Sequence, residues 1–98
     1  MRPRMDPDDA APEGATADQV GGRLRATARR LASALTRTAQ TLEVSADLAD
    51  RHARERFQAG DEKAAAEERL TARRARDGSQ RARRQAARWL ERSKGGTG

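Results

Sequence analysis

The densest chemical pattern in this sequence is a series of arginines toward its carboxyl end. Guanidinium groups bind phosphates and carboxylates through paired hydrogen bonds, so arginines that share one face of a helix form a candidate anion site. Several of them recur at intervals of three and four residues, which is the spacing of one helical stripe. The candidate contacts for an anion or a nucleic-acid backbone are Arg81, Arg84, Arg88, Arg92, Arg25 and Arg29.

Three interpretations of this stripe remain open. The composition is rich in Ala and Arg, which is typical of GC-rich coding, so the arginines could form a solvated surface without a ligand. They could contact phosphates, and the absence of interleaved aromatic residues indicates electrostatic binding that does not depend on base sequence. The third interpretation is a helix at a membrane surface, for which Trp89 and Leu90 give a thin apolar face.

Metal binding is not supported by the surroundings of the single histidine. A helical site needs a second ligand near His52, but Ala49 and Arg56 stand three residues before it and four after it. Cysteine is absent, which excludes thiolate sites and disulfides. We therefore expect no metal ligand and no cofactor.

The carboxylates alternate with arginines at helical spacing, which favours surface ion pairs over acid and base catalysis. The pairs predicted within single helices are Asp47 with Arg51, Asp50 with Arg54, and Asp77 with Arg81. No Ser, His and Asp set and no phosphate-binding glycine loop is evident. We expect no catalytic residue and no enzymatic activity.

Two long helices would carry these side chains. Thr16 and Gln19 fit a capping box, which predicts a first helix over residues 17–59. Residues 60–61 form a corner, because Gly60 suits the left-handed position after a helix and Asp61 can cap the next one. The second helix is predicted over residues 61–93, either continuous or broken at 77–79 with Ser79 as a new cap.

A heptad-like apolar stripe runs along the first helix and indicates contact with another helix. Its members are Leu24, Ala28, Leu31, Leu35, Thr38, Leu42, Ser45, Ala49 and His52. Folding the chain at Gly60 brings residue 60 minus n near residue 60 plus n, so Leu42 should lie near Gly78 and Leu31 near Trp89. The predicted interface between helices consists of Leu24, Leu31, Leu35, Leu42, Trp89 and Leu90. Large apolar residues are few, and self-association would bury more of them.

Charge and composition describe the remaining segments. Residues 1–16 hold three prolines and several acids with little to bury, which predicts a disordered acidic tail, and residues 94–98 form a Gly-rich flexible tail. Residues 23–37 carry five arginines and no acid, and residues 79–94 carry six basic residues and one acid. The open end of the hairpin therefore has a charge of about +10.

Without cysteine, a targeting signal or a long apolar run, a cytoplasmic location is expected.

The sequence thus predicts an all-α, coiled-coil-like antiparallel helical hairpin with disordered termini, two copies of which would make a four-helix bundle. The expected function is a non-enzymatic interaction or adaptor protein with a basic open end. It would bind a second copy or a helical protein partner. The alternatives are sequence-independent nucleic-acid binding and peripheral attachment to a membrane surface.

Overall fold

The computed structural model describes residues 16–94, and two helices account for nearly all of them. Helix α1 spans Ala17–Gln58 and helix α2 spans Glu62–Ser93. They lie against each other along their length as a hairpin whose longest dimension is 71 Å. The predicted helical hairpin is confirmed. The expectations for residues 1–15 and 95–98 lie outside the described residues, while Thr16 and Lys94 are the caps of the two helices.

Helix α1 begins at the predicted capping box. The Thr16 Oγ1 atom accepts a hydrogen bond of 3.1 Å from the Gln19 backbone N–H, and the Gln19 Oε1 atom accepts one of 2.8 Å from the Thr16 N–H. These two bonds satisfy backbone donors that have no partner inside the helix. The sequence therefore determines this end of the hairpin locally.

The corner at residues 59–61 is a Schellman turn followed directly by a new helix cap. Gly60 has a φ of 83°, and its N–H donates to the Phe57 carbonyl at 3.0 Å. The Asp61 N–H donates to the Arg56 carbonyl at 2.9 Å, and the Asp61 Oδ1 atom accepts from the Ala64 N–H at 3.1 Å. Because both helix ends are satisfied within a few residues, α2 turns straight back along α1.

The contact between the helices is made mainly of alanine. The side chains buried in it are small and follow intervals of three, four or seven residues along each helix. On α1 they are Ala28, Ala32, Ala39, Ala46, Ala49 and Ala53, and on α2 they are Ala65, Ala72, Ser79, Ala82 and Ala86. Leu35 and Leu42 are half-buried within the same stripe. Small side chains let the two backbones approach closely, so the hairpin is held by close packing instead of bulky core residues.

Helix α2 is continuous through the segment Asp77–Gly78–Ser79. Residue 78 faces Leu42, whose Cδ1 atom lies 3.1 Å from the position that a β-carbon would occupy, so glycine makes room for a leucine there. Ser79 is only 2 % exposed and donates a hydrogen bond of 2.9 Å to the Glu43 Oε1 atom. A residue that could have started a new helix instead joins α2 to α1.

Candidate partner-binding surface

One flank of the hairpin carries a ladder of pairs between the helices, which we call the ladder flank. Each pair lies one heptad further from the corner than the last, as expected for two helices in constant register. The pairs are Phe57 with Arg69, Asp50 with Arg76, and Glu43 with Arg83. The Arg69 guanidinium carbon lies 6.0 Å from the centre of the Phe57 ring, at the outer limit of a cation–π contact.

Glu43 is the most connected side chain of the ladder flank. Arg83 binds it with two hydrogen bonds of 3.0 and 2.9 Å, and Ser79 donates a third. The bonds from Arg83 and then Ser79 lower the pKa of Glu43, and the same carboxylate raises the pKa of Arg83. Both side chains remain nearly half exposed. These bonds engage both oxygens of the Glu43 carboxylate and tie α1 to α2 at this position.

Asp47 and Asp50 of α1 pair across the hairpin and not along their own helix. Asp47 contacts Arg76 at 3.3 Å, and Asp50 contacts the same guanidinium group. Within residues 16–94, the predicted pairs of Asp47 with Arg51, Asp50 with Arg54 and Asp77 with Arg81 are not formed, so that prediction was wrong. Counting from Gly60 would set Arg76 opposite residue 44, whereas its partners Asp47 and Asp50 lie three and six residues nearer the corner, so these contacts could not be predicted from the position of Gly60 alone.

The opposite flank opens into an apolar groove near the free ends of the helices, which we call the open-end groove. Its volume is about 500 Å³. The residues that line it are Gly21, Leu24, Arg25, Thr27, Ala28, Leu31, Trp89 and Arg92. The predicted proximity of Leu31 to Trp89 thus holds. Sequence reasoning did not identify Gly21 or Thr27 as part of a surface, and only their helical spacing from Leu24 and Leu31 could have done so.

Large apolar side chains remain accessible around this groove. Leu24 is 67 % exposed and Leu31 is 38 % exposed, while Trp89 is half-buried. The Arg92 guanidinium carbon stands 4.5 Å from the centre of the Trp89 ring, which is a close cation–π contact. The groove therefore has an apolar floor and a cationic rim.

The predicted interface residues divide between two environments. Leu35 and Leu42 lie between the helices, whereas Leu24, Leu31 and Trp89 line the open-end groove. Leu90 is 45 % exposed, one heptad beyond Arg83 and so on the ladder flank. The reason is that the buried stripe runs one residue after Leu31: Ala32 follows it directly, and Ala39, Ala46 and Ala53 come at heptad intervals after Ala32. These alanines allow a closer approach and displace the leucines to the edge of the contact.

The candidate arginines also divide between different surfaces. Arg81, Arg84 and Arg88 are exposed on α2 and form no ion pair within the part of the chain that the structure describes. Arg25 and Arg92 line the open-end groove. Arg29 lies elsewhere on α1, in a shallow depression of about 500 Å³ with Ala26, Arg30, Ser33 and Arg37. The structure therefore does not gather all six candidates into one anion site.

His52 is half-buried on α1. Among residues 16–94, no group of three His, Cys, Asp or Glu side chains is arranged closely enough to hold a metal ion. Neither helix within this range has an apolar stretch of the length needed to cross a bilayer. Comparison with known proteins found no matching family model and no similar curated protein or solved structure.

Proposed function

We propose that this chain is a non-enzymatic interaction module that binds a helical protein through its open end, a second copy of the chain included. The observation that carries the proposal is the open-end groove, where Leu24, Leu31 and Trp89 remain accessible beside an otherwise alanine-lined contact. The hairpin buries few large side chains on its own. Covering this groove would remove the largest nearby apolar side chains from water.

The shape of the groove favours a helix as the ligand. Its α1 side extends from Gly21 to Leu31, about 15 Å at 1.5 Å per residue, or roughly three turns. An amphipathic helix presents apolar side chains at the same three- and four-residue spacing as the groove. Catalysis would instead require several polar groups that converge on an enclosed site.

The test is sedimentation of the full chain at micromolar concentration, alone and with a neutral amphipathic helix built from Leu, Ala and Gln. We expect association that Leu31→Gln weakens at least about ten-fold, because the leucine loses its apolar burial. Leu70→Gln is the matched control, since Leu70 is 40 % exposed against 38 % for Leu31 but lies outside the groove. Association that neither substitution alters, or none at all, would contradict the proposal.

Sequence-independent binding of nucleic acid is the second candidate. It is favoured by Arg81, Arg84 and Arg88, which are exposed and unpaired with any acid among the described residues. Guanidinium groups in this state are available to phosphates, and neighbouring like charges repel until an anion screens them. A gel shift at two salt concentrations tests this candidate independently of the groove.

A further inference from the structure

We infer that the occupant of the open-end groove is an acidic amphipathic helix of a partner protein. This inference rests on the proposed function and adds the chemical class of the partner. It follows from two properties of the same groove: an apolar floor that demands large apolar side chains, and a rim whose charge is of one sign only.

The floor determines the apolar half of the partner. Leu24, Leu31, Ala28 and Trp89 together present aliphatic and aromatic surface, and no acidic residue lines the groove. Two leucines one heptad apart match an incoming helix that places Leu, Ile or Phe at positions three, four and seven residues apart. Trp89 is the type of large, partly buried side chain that commonly dominates the affinity of such an interface.

The rim determines the charge of the partner. Arg25 and Arg92 are the charged residues of the groove. Residues 19–42 of α1 contain no acid at all. On α2 the nearest acid is Glu91, which is already paired with Lys94 at 3.1 Å. A helix with acidic side chains beside its apolar stripe would therefore meet only cations, and the attraction would both orient it and speed its association.

Two other occupants of the groove, a second copy of the chain and the chain's own residues 1–15, fit less well. A second copy brings the same cationic open end, and its remaining half, residues 42–78, has a charge near zero. Residues 1–15 carry four acids but no Leu, Ile, Val, Phe or Trp, so they match the rim and not the floor. Only a separate acidic and apolar helix satisfies both halves of the groove.

The experiment measures the binding of fluorescein-labelled designed helices of about 20 residues to the full chain by anisotropy. All carry the same Leu stripe, and their other positions are filled with Glu, Gln or Lys. We expect the Glu helix to bind at least about ten-fold more tightly than the Gln helix, and the Lys helix not to bind. Trp89 is the only tryptophan, so a blue shift of its emission places the helix in the groove.

Matched variants locate the contact. Leu24→Gln should weaken binding of the Glu helix at least about ten-fold, whereas Val44→Gln should change it by no more than about two-fold. These two residues are 67 % and 68 % exposed on the same helix, so neither change disturbs the hairpin core. Arg25→Gln should reduce the preference for Glu over Gln, and Arg84→Gln, on a surface outside the groove, should not. Circular dichroism of each variant confirms that helicity is retained.

Three outcomes would overturn the inference. If the Gln helix binds as tightly as the Glu helix and Leu24→Gln weakens both, the proposed interaction function stands but the acidic partner is wrong. If no helix binds and the chain does not self-associate, the proposed function fails as well. If duplex DNA displaces the Glu helix and its binding needs Arg25 and Arg92 but not Leu24, the ligand of the open-end groove is nucleic acid.

Discussion

Three glycines of the hairpin occupy different backbone environments and should respond differently to alanine. Gly60 has a positive φ. A β-carbon added at Gly78 would lie 3.1 Å from the Leu42 Cδ1 atom, and one added at Gly22 would lie 3.8 Å from its nearest neighbour, a side-chain nitrogen of Arg25. We expect Gly22→Ala to raise the free energy of unfolding by up to about 1 kcal/mol, because alanine is the better helix former. Gly60→Ala should cost about 1 to 2 kcal/mol through left-handed strain.

The informative case is Gly78→Ala. Alanine is again the better helix former, but its β-carbon would press against the Leu42 Cδ1 atom. The net rise in the free energy of unfolding should therefore be smaller than for Gly22→Ala. Urea denaturation followed by circular dichroism measures all three changes. An equal gain at residues 22 and 78 would mean that Leu42 moves aside freely and that Gly78 is not needed for the close contact.

The hydrogen bonds of Glu43 predict a defined pH dependence. Because Arg83 and Ser79 lower its pKa in the folded state, Glu43 stabilises the hairpin at any pH above its ordinary value of 4.5. This contribution is lost as the pH falls through the lowered pKa, where the folded carboxylate takes up its proton. Glu43→Gln should therefore be less stable than the parent chain at pH 7, with the difference closing in acid.

Urea midpoints at pH 7 and at about pH 3 measure this closure. The conservative variant Glu43→Gln preserves side-chain shape, so a change in packing cannot mimic the result. A constant difference between the two proteins at both pH values would show that the interaction of Glu43 with Arg83 and Ser79 does not depend on its charge.

At the scale of the helices, the close approach of α1 and α2 depends on buried alanines, around which there is no space for a larger side chain. Ala46 is fully buried and lies in the centre of the contact with α2. Ala46→Leu should cost about 1 to 3 kcal/mol of unfolding free energy by forcing the backbones apart. Ala34→Leu, at an exposed position of the same helix, should change stability by no more than about 0.5 kcal/mol. Similar midpoints for the two variants would argue that the helices separate without cost.

The same alanines explain how far the sequence predicted this fold. The capping box, the corner at Gly60 and the hairpin follow from local chemistry, so they were accessible from residue types alone. Of the predicted apolar stripe, Ala28, Leu35, Leu42 and Ala49 do face α2. A stripe chosen by hydrophobicity favours leucine over alanine, but the distance between two packed helices is set by the smallest side chains at the contact. Most of the remaining members of the stripe were therefore assigned one residue before the positions that are buried.

The open-end groove was less predictable than the helices. Pairing residues equidistant from Gly60 placed Leu31 near Trp89, but a groove exists only because Leu24 and Leu31 fall just outside the alanine contact. A one-residue difference in the buried stripe rotates the helix by about 100° and decides whether those leucines are core or surface. The pairing of Arg76 with two acids likewise needed the register of both helices.

For the whole molecule, charge is concentrated at the open end, and the acids of residues 1–15 oppose it in sign. Deleting residues 1–15 should tighten the binding of nucleic acid or of an acidic helix at low salt, because it removes an intramolecular anion that competes for the same arginines. The difference between full-length and shortened chains should vanish at high salt, where such contacts are screened. Titrations at two salt concentrations measure it, and equal affinities at low salt would contradict the competition.

The two functional candidates differ most clearly in their salt dependence. If Arg81, Arg84 and Arg88 bind phosphates, the log–log slope of affinity against salt concentration should be near −0.9 for each duplex phosphate neutralised. Replacing Arg81, Arg84 and Arg88 together with Gln should then flatten that slope by about two to three units while helicity stays the same. Binding of a helix in the open-end groove should instead depend on Leu24 and Leu31, with a weaker response to salt because apolar burial supplies most of the affinity. Gel shifts at about 50 and 200 mM salt decide between the two candidates. If the triple variant and the parent chain have equal slopes, Arg81, Arg84 and Arg88 do not bind phosphate.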